Sequence, residues 1–63
     1  MVLNYIGVTY LYEKKLEKAA ECFRGIIAED PRFFLAYVNL SIALIRSGKF
    51  DEADEARQSL KRL

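Results

Sequence analysis

The stretch with the fewest polar positions is residues 33–45, FFLAYVNLSIALI. Leu35, Val38, Ile42 and Ile45 recur at three- and four-residue steps and make one helical stripe. Tyr37, Leu40 and Leu44 make a second stripe, turned partway round the same helix. A helix that is apolar on two faces has to be covered on two faces. Its own chain meets one of them; the other calls for a further helix, another subunit or a ligand.

The rest of the chain reads as three more helices around this one. Residues 1–12 carry Leu3, Ile6 and Tyr10 on one side and Val8 and Tyr12 on another. Gly7 lies inside this helix, where glycine costs about 1 kcal/mol relative to alanine, so it predicts close approach of a neighbour. Residues 13–15, Glu-Lys-Lys, are a candidate turn without glycine, proline or asparagine, and nothing between Val8 and Arg24 forbids one continuous helix. Residues 16–28 are the clearest amphipathic helix, with a stripe of Leu16, Ala19, Ala20, Phe23, Ile26 and Ile27. Asp30-Pro31 ends it, and the same proline can open the next helix. Ser47-Gly48 ends the two-stripe helix near Arg46. Residues 50–63 follow with a thinner stripe of Phe50, Ala53, Ala56, Leu60 and Leu63. Acidic residues fill the first turns of that last helix and Lys61 and Arg62 its end, as the helix dipole favours. No strand pattern occurs, so the expected class is all-α.

The pattern repeats. Shifted by 34 residues, Ile6 falls on Leu40, Val8 on Ile42, Leu11 on Ile45, Lys15 on Lys49 and Leu16 on Phe50. Glu17 falls on Asp51, Ala19 on Ala53, Glu21 on Glu55 and Ile26 on Leu60. Both helices of each copy match in phase, so the chain is two copies of one helix–turn–helix unit, residues 1–33 and a truncated 34–63.

Period and residues together resemble the tetratricopeptide repeat. The first copy has Ile6-Gly7, Tyr10, Ala19, Phe23 and Pro31 at that family's spacing. The second has Tyr37, Leu40 and the run Gly48-Lys49-Phe50-Asp51-Glu52-Ala53. Two positions depart: Lys14 stands where the second copy has Gly48, and Arg57 where the first has Phe23. The resemblance implies four antiparallel helices in a short right-handed solenoid. Gly7, Ala19 and Ala53 would let helices approach, and Tyr10, Phe23 and Phe50 would fill the gaps between them. It also implies a protein-binding groove on the first helix of each repeat, lined here by Asn4, Tyr5, Val8, Tyr12, Leu35, Val38, Asn39, Ile42 and Ile45, with Arg46 at its edge. A branch of the family grips acidic chaperone tails with lysine, arginine and asparagine on that face. Asn39 matches one such position, but Val8 and Ile42 stand where others are wanted, so that branch is set aside. The expected partner is a protein or peptide segment with an apolar helical face, in a scaffold or adaptor role. The alternative is a homodimer, with helices exchanged through residues 13–15. Two repeats are fewer than the three or so that solenoids usually need, so the chain reads as a fragment or as a chain completed by association.

Composition narrows this further. A chain of 63 residues buries only about 60% of the surface its unfolded form exposes, so stability is marginal without a supplement. One cysteine, Cys22, and no histidine exclude an internal disulfide and the usual zinc sites. A net charge of +1 gives no strong field for nucleic acid. The apolar run, interrupted by Asn39 and Ser41, falls short of the ~20 residues of a membrane span, and no secretory signal is visible, so a cytoplasmic protein is expected. Cys22 has no histidine partner, so neither an enzyme nor a cofactor is expected. Lys14, Lys15, Lys18 and Arg24 alternate with Glu13, Glu17 and Glu21, which reads as a solvated face. Asp51, Glu52, Asp54 and Glu55 are explained by the dipole and lack the loop geometry of a calcium site. Tyr5 and Tyr12 are the better aromatic anchors for a partner, Tyr10 and Tyr37 the packing residues.

Overall fold

The computed structural model describes residues 2–62, with side chains from Asn4 onward. Four helices follow one another: α1 (Val2–Tyr12), α2 (Leu16–Glu29), α3 (Phe34–Arg46) and α4 (Phe50–Lys61). No strand occurs among the described residues, and the class is all-α. Connections of three or four residues make consecutive helices antiparallel neighbours. α1 packs on α2, α2 on α3 and α3 on α4, while α1 and α3 meet along one side. The result is a slab of 30 × 26 × 13 Å measured over Cα positions.

Helix approach is set by small residues. Ala19, Ala20, Ala36, Ala43, Ala53 and Ala56 are all buried, and the largest fully buried side chains are Phe23, Ile26 and Leu44. At Gly7 α1 and α2 come close. A Cβ built there would lie 2.5 Å from Cε1 of Phe23 and 2.8 Å from its Cζ, so the ring occupies the space that a side chain would need. The close approach expected from the sequence is therefore a contact between α1 and the central ring of α2.

Both first helices end in the same way. The Lys14 N–H donates to the Leu11 carbonyl and the Lys15 N–H to the Tyr10 carbonyl, at 3.1 and 2.9 Å. Thirty-four residues on, the Gly48 N–H donates to Ile45 and the Lys49 N–H to Leu44, at 3.1 and 2.8 Å. These are paired Schellman caps, which place the residue after the helix in the left-handed region. Gly48 sits there at φ +82° without penalty, whereas Lys14 sits there at φ +62° as a residue with a Cβ. Such a conformation costs an L-residue about 1–2 kcal/mol. Lys14→Gly is accordingly expected to raise stability by about 1 kcal/mol, seen as a rise in Tm of about 4–8 °C in a thermal melt.

Several expectations need correction. Pro31 does not open α3. It lies in the turn with Arg32, and α3 begins at Phe34. The Arg32 N–H donates to Asp30 Oδ1 at 3.3 Å, and the Pro31 carbonyl accepts the Tyr37 hydroxyl at 2.8 Å, so the proline shapes the turn and anchors the core tyrosine. Phe50 fills no gap between helices: it is 63% exposed. It is the first residue of α4, next to the turn, and unlike its counterpart Leu16 it does not pack on the core. In the α4 stripe Ala53 and Ala56 are buried and Leu60 half-buried, while Leu63 lies outside the described residues. In α1, Leu3 lies outside the described side chains, Ile6 is exposed and Tyr10 half-buried; the core residue of this helix is Leu11.

Candidate functional site

The two stripes of α3 have different fates. Tyr37, Leu40 and Leu44 are buried, together with Ser41, whose hydroxyl donates back to the Tyr37 carbonyl at 3.0 Å. Nothing in the apolar pattern marks Ser41 as a core residue; its ability to satisfy itself on its own helix is what allows it there. In the other stripe Leu35, Val38 and Ile45 are exposed and Ile42 half-buried.

The face α1 and α3 share is built around one polar clasp. Asn39 Nδ2 donates to Asn4 Oδ1 at 3.0 Å, across 35 positions of sequence. Beside it a cleft of about 210 Å³ is lined by Val8, Leu11, Tyr12, Asn39, Ile42 and Arg46. A second hollow, of about 380 Å³, runs along α1 between Asn4, Tyr5, Val8, Thr9 and Tyr12. Val8 and Ile42 pack on the core and form the floor. Tyr5 and Tyr12, at 77% and 84% exposure, stand free at the rim. Arg46 closes the far end as the one basic residue in the last turn of α3.

Seven of the ten residues expected on this face therefore come together: Asn4, Tyr5, Val8, Tyr12, Asn39, Ile42 and Arg46. Leu35, Val38 and Ile45 line neither hollow. The repeat explains two of them. Val38 and Ile45 hold the positions of Asn4 and Leu11, which in the first unit are half-buried and buried where α1 meets α3. In the second unit no helix among the described residues covers these positions, and the apolar surface continues from the cleft to the exposed Val38 and Ile45.

Other chemistry is sparse. Cys22 is half-buried and unpaired. Among the described residues no group of three or more Cys, Asp and Glu side chains stands where it could hold a metal ion. Among the described residues no helix is long and apolar enough to cross a membrane. Every buried side-chain nitrogen and oxygen among the described residues has a hydrogen-bond partner, so no polar group points unpaired into a cavity. No family model matches the chain, and neither a curated protein nor a solved structure matches it.

Proposed function

We propose that the chain is a two-repeat module of tetratricopeptide type that binds an amphipathic helix of a partner protein on the shared face of α1 and α3, in a scaffold or adaptor role. The observation that carries this reading is the pairing of an apolar floor, Val8 and Ile42, with two nearly free tyrosines at its rim. Tyrosines contribute a large contact area with little loss of rotamer freedom, and a helix laid in a groove is read through apolar anchors at i, i+3, i+4 and i+7. The Asn4–Asn39 clasp fixes the spacing of α1 and α3 and leaves the remaining amide atoms for a partner's polar groups. Arg46 suits a partner with an acidic residue at one end.

Selection from a displayed library of helical peptides tests this. Retained sequences are expected to carry the apolar spacing of a helix face. Their affinity should fall at least tenfold, about 1.4 kcal/mol, with Tyr12→Ala, a substitution that removes an exposed ring and leaves the core untouched. Val38→Glu should weaken those that also reach round α3. A library that yields no helix, or helices indifferent to Tyr12→Ala, would sink the reading.

A second reading rests on a different observation, the left-handed Lys14. A short connection under strain favours exchange of elements between copies. If residues 13–15 join α1 and α2 in one helix, the strain is released and α1 packs on the α2 of a second copy. Lys14→Gly removes the strain, so a helix-exchanged dimer should shift toward monomer in sedimentation equilibrium. An unchanged dimer fraction would rule out exchange through this turn.

A further inference from the structure

The 34-residue repeat makes each surface of the second unit a template for the first, and one surface lacks its cover. Between α2, α3 and α4 lies a cleft of about 240 Å³ whose walls include Leu44, Glu52, Glu55, Ala56 and Ser59. A cleft of about 460 Å³ on the outer side of α1 and α2 is lined by Tyr10, Lys18, Glu21, Cys22 and Gly25. Each of these five residues stands 34 positions before its counterpart, in the same order. It is the same cleft, met twice. In the inner copy α2 closes it with Arg24 and Ile27; at the outer edge none of the described residues takes their place.

Burial agrees with this. Leu40 and Leu44, facing α2, are 7% and 2% exposed, whereas Ile6, the counterpart of Leu40, is 41% exposed and Tyr10, the counterpart of Leu44, is only half-buried. The interface already present between α2 and α3 thus specifies what covers the edge: a helix of the α2 kind, lying along α1.

Charge specifies it further. Within the chain, Arg24 on α2 pairs with Glu52 at 3.1 Å, and Glu17 with Lys49 at 3.9 Å. At the outer edge the place of Glu52 is taken by Lys18 and that of Lys49 by Lys15. Lys18 rests over the Tyr10 ring at 6.0 Å and Lys15 reaches only Glu13, at 3.5 Å. A covering helix therefore meets two cations, where α2 meets one cation and one anion.

We infer that the edge formed by Ile6, Tyr10, Lys15 and Lys18 takes an amphipathic helix of a partner protein that carries two acidic residues seven positions apart beside an apolar stripe. Seven residues return a helix to the same face, so both acids reach the two lysines together. A second copy stacked head to tail does not fit this description. The outer face of its α4 is polar, with Asp54, Gln58 and Lys61 exposed where α2 has Ala20, Arg24 and Ile27. This surface is separate from the groove face and stands or falls independently of it.

The test uses the full chain and synthetic peptides of residues 16–29 carrying Cys22→Ser, one with Arg24 kept and one with Arg24→Glu, titrated by fluorescence anisotropy. Glu17 and the introduced glutamate then supply the acidic pair. The Arg24→Glu peptide is expected to bind about fivefold more tightly than the Arg24 peptide, since one exposed attraction replaces one repulsion. Lys18→Glu in the protein should reverse that order. Ile6→Lys, at an exposed position outside the core, should abolish binding of both peptides, and Tyr12→Ala should leave both unchanged. Absence of binding, the same peptide order with Lys18→Glu, or indifference to Ile6→Lys would overturn the proposal. So would an edge already occupied by a second copy, seen as a homodimer that Ile6→Lys dissociates and the peptide does not.

Discussion

Phe23→Ala is expected to remove about half or more of the chain's stability at 25 °C. Phe23 has no exposed surface and lies against Gly7 of α1 at the centre of the first unit. Truncating such a ring costs about 3–5 kcal/mol, as lost transfer energy plus the cavity left behind. A chain of 63 residues has roughly 3–9 kcal/mol of stability to lose, taking about 0.05–0.15 kcal/mol per residue. The neighbours are poorly placed to collapse into the space. Gly7 has no side chain, and Ala19 and Ala20, the small buried residues of α2, are already at their helix surface. A urea titration followed by far-ultraviolet circular dichroism should show the midpoint moved to about half the parent's denaturant concentration or lower, with a shortened folded baseline. A cooperative transition with the midpoint of the parent chain would mean that the ring is not the keystone of the first unit.

The second large effect is a difference in sign. Gly7→Ala and Gly25→Ala are the same exchange inside two helices, and propensity alone favours alanine at both by about 1 kcal/mol. At Gly25 no atom outside its own stretch of helix stands within 4 Å of the new Cβ, so this gain is expected in full. At Gly7 the new Cβ meets three atoms of the Phe23 ring at 2.5–3.0 Å, and the ring, buried on all sides, has little room to turn away. Overpacking a filled core costs about 1–3 kcal/mol, and a contact this short lies at the upper end, leaving a net loss of about 1–2 kcal/mol. Chemical denaturation of both variants checks this. Because Gly7 and Phe23 share one contact, Gly7→Ala should be better tolerated beside Phe23→Leu than alone, a non-additivity that a double-mutant cycle measures. Two stabilised single variants would contradict the packing described for α1 and α2.

Much of this architecture was legible in the residues because each signal has a local cause. Gly48, Asp30-Pro31 and the stripe of residues 16–28 define turns and a helix face without tertiary help. The two stripes of residues 33–45 required two covers, and α3 has one covered and one open face. The glycine of α1 announced a close approach, and the ring that makes it is Phe23. The misread positions are those that depend on where a helix begins or which neighbour it has. Phe50 carries the composition of a core residue but stands at the first position of α4. Pro31 suits a helix start equally well as a turn, and the Tyr37 hydroxyl bonded to its carbonyl holds it in the turn.

The candidate face was legible in part. Val8, Tyr12, Asn39, Ile42 and Arg46 share a cleft because α1 and α3 run side by side, which the repeat already required. Periodicity also grouped Val38 and Ile45 with Ile42, since all lie within one broad stripe. It could not separate the part of that stripe turned toward α1 from the part turned away, because the division depends on the angle at which two helices meet. The open edge at Ile6 and Tyr10 was equally present in the sequence, as counterparts of Leu40 and Leu44. It became readable once the inner cleft showed which residues α2 contributes.

The measurement closest to the central claim is a map of backbone amide shifts in the isotope-labelled chain titrated with a helix selected on it. The perturbed amides are expected to cluster in α1 and α3, at Val8, Tyr12, Asn39 and Ile42, and Tyr12→Ala to remove the perturbation. Shifts concentrated on the polar outer face of α4, around Asp54 and Arg57, would contradict it.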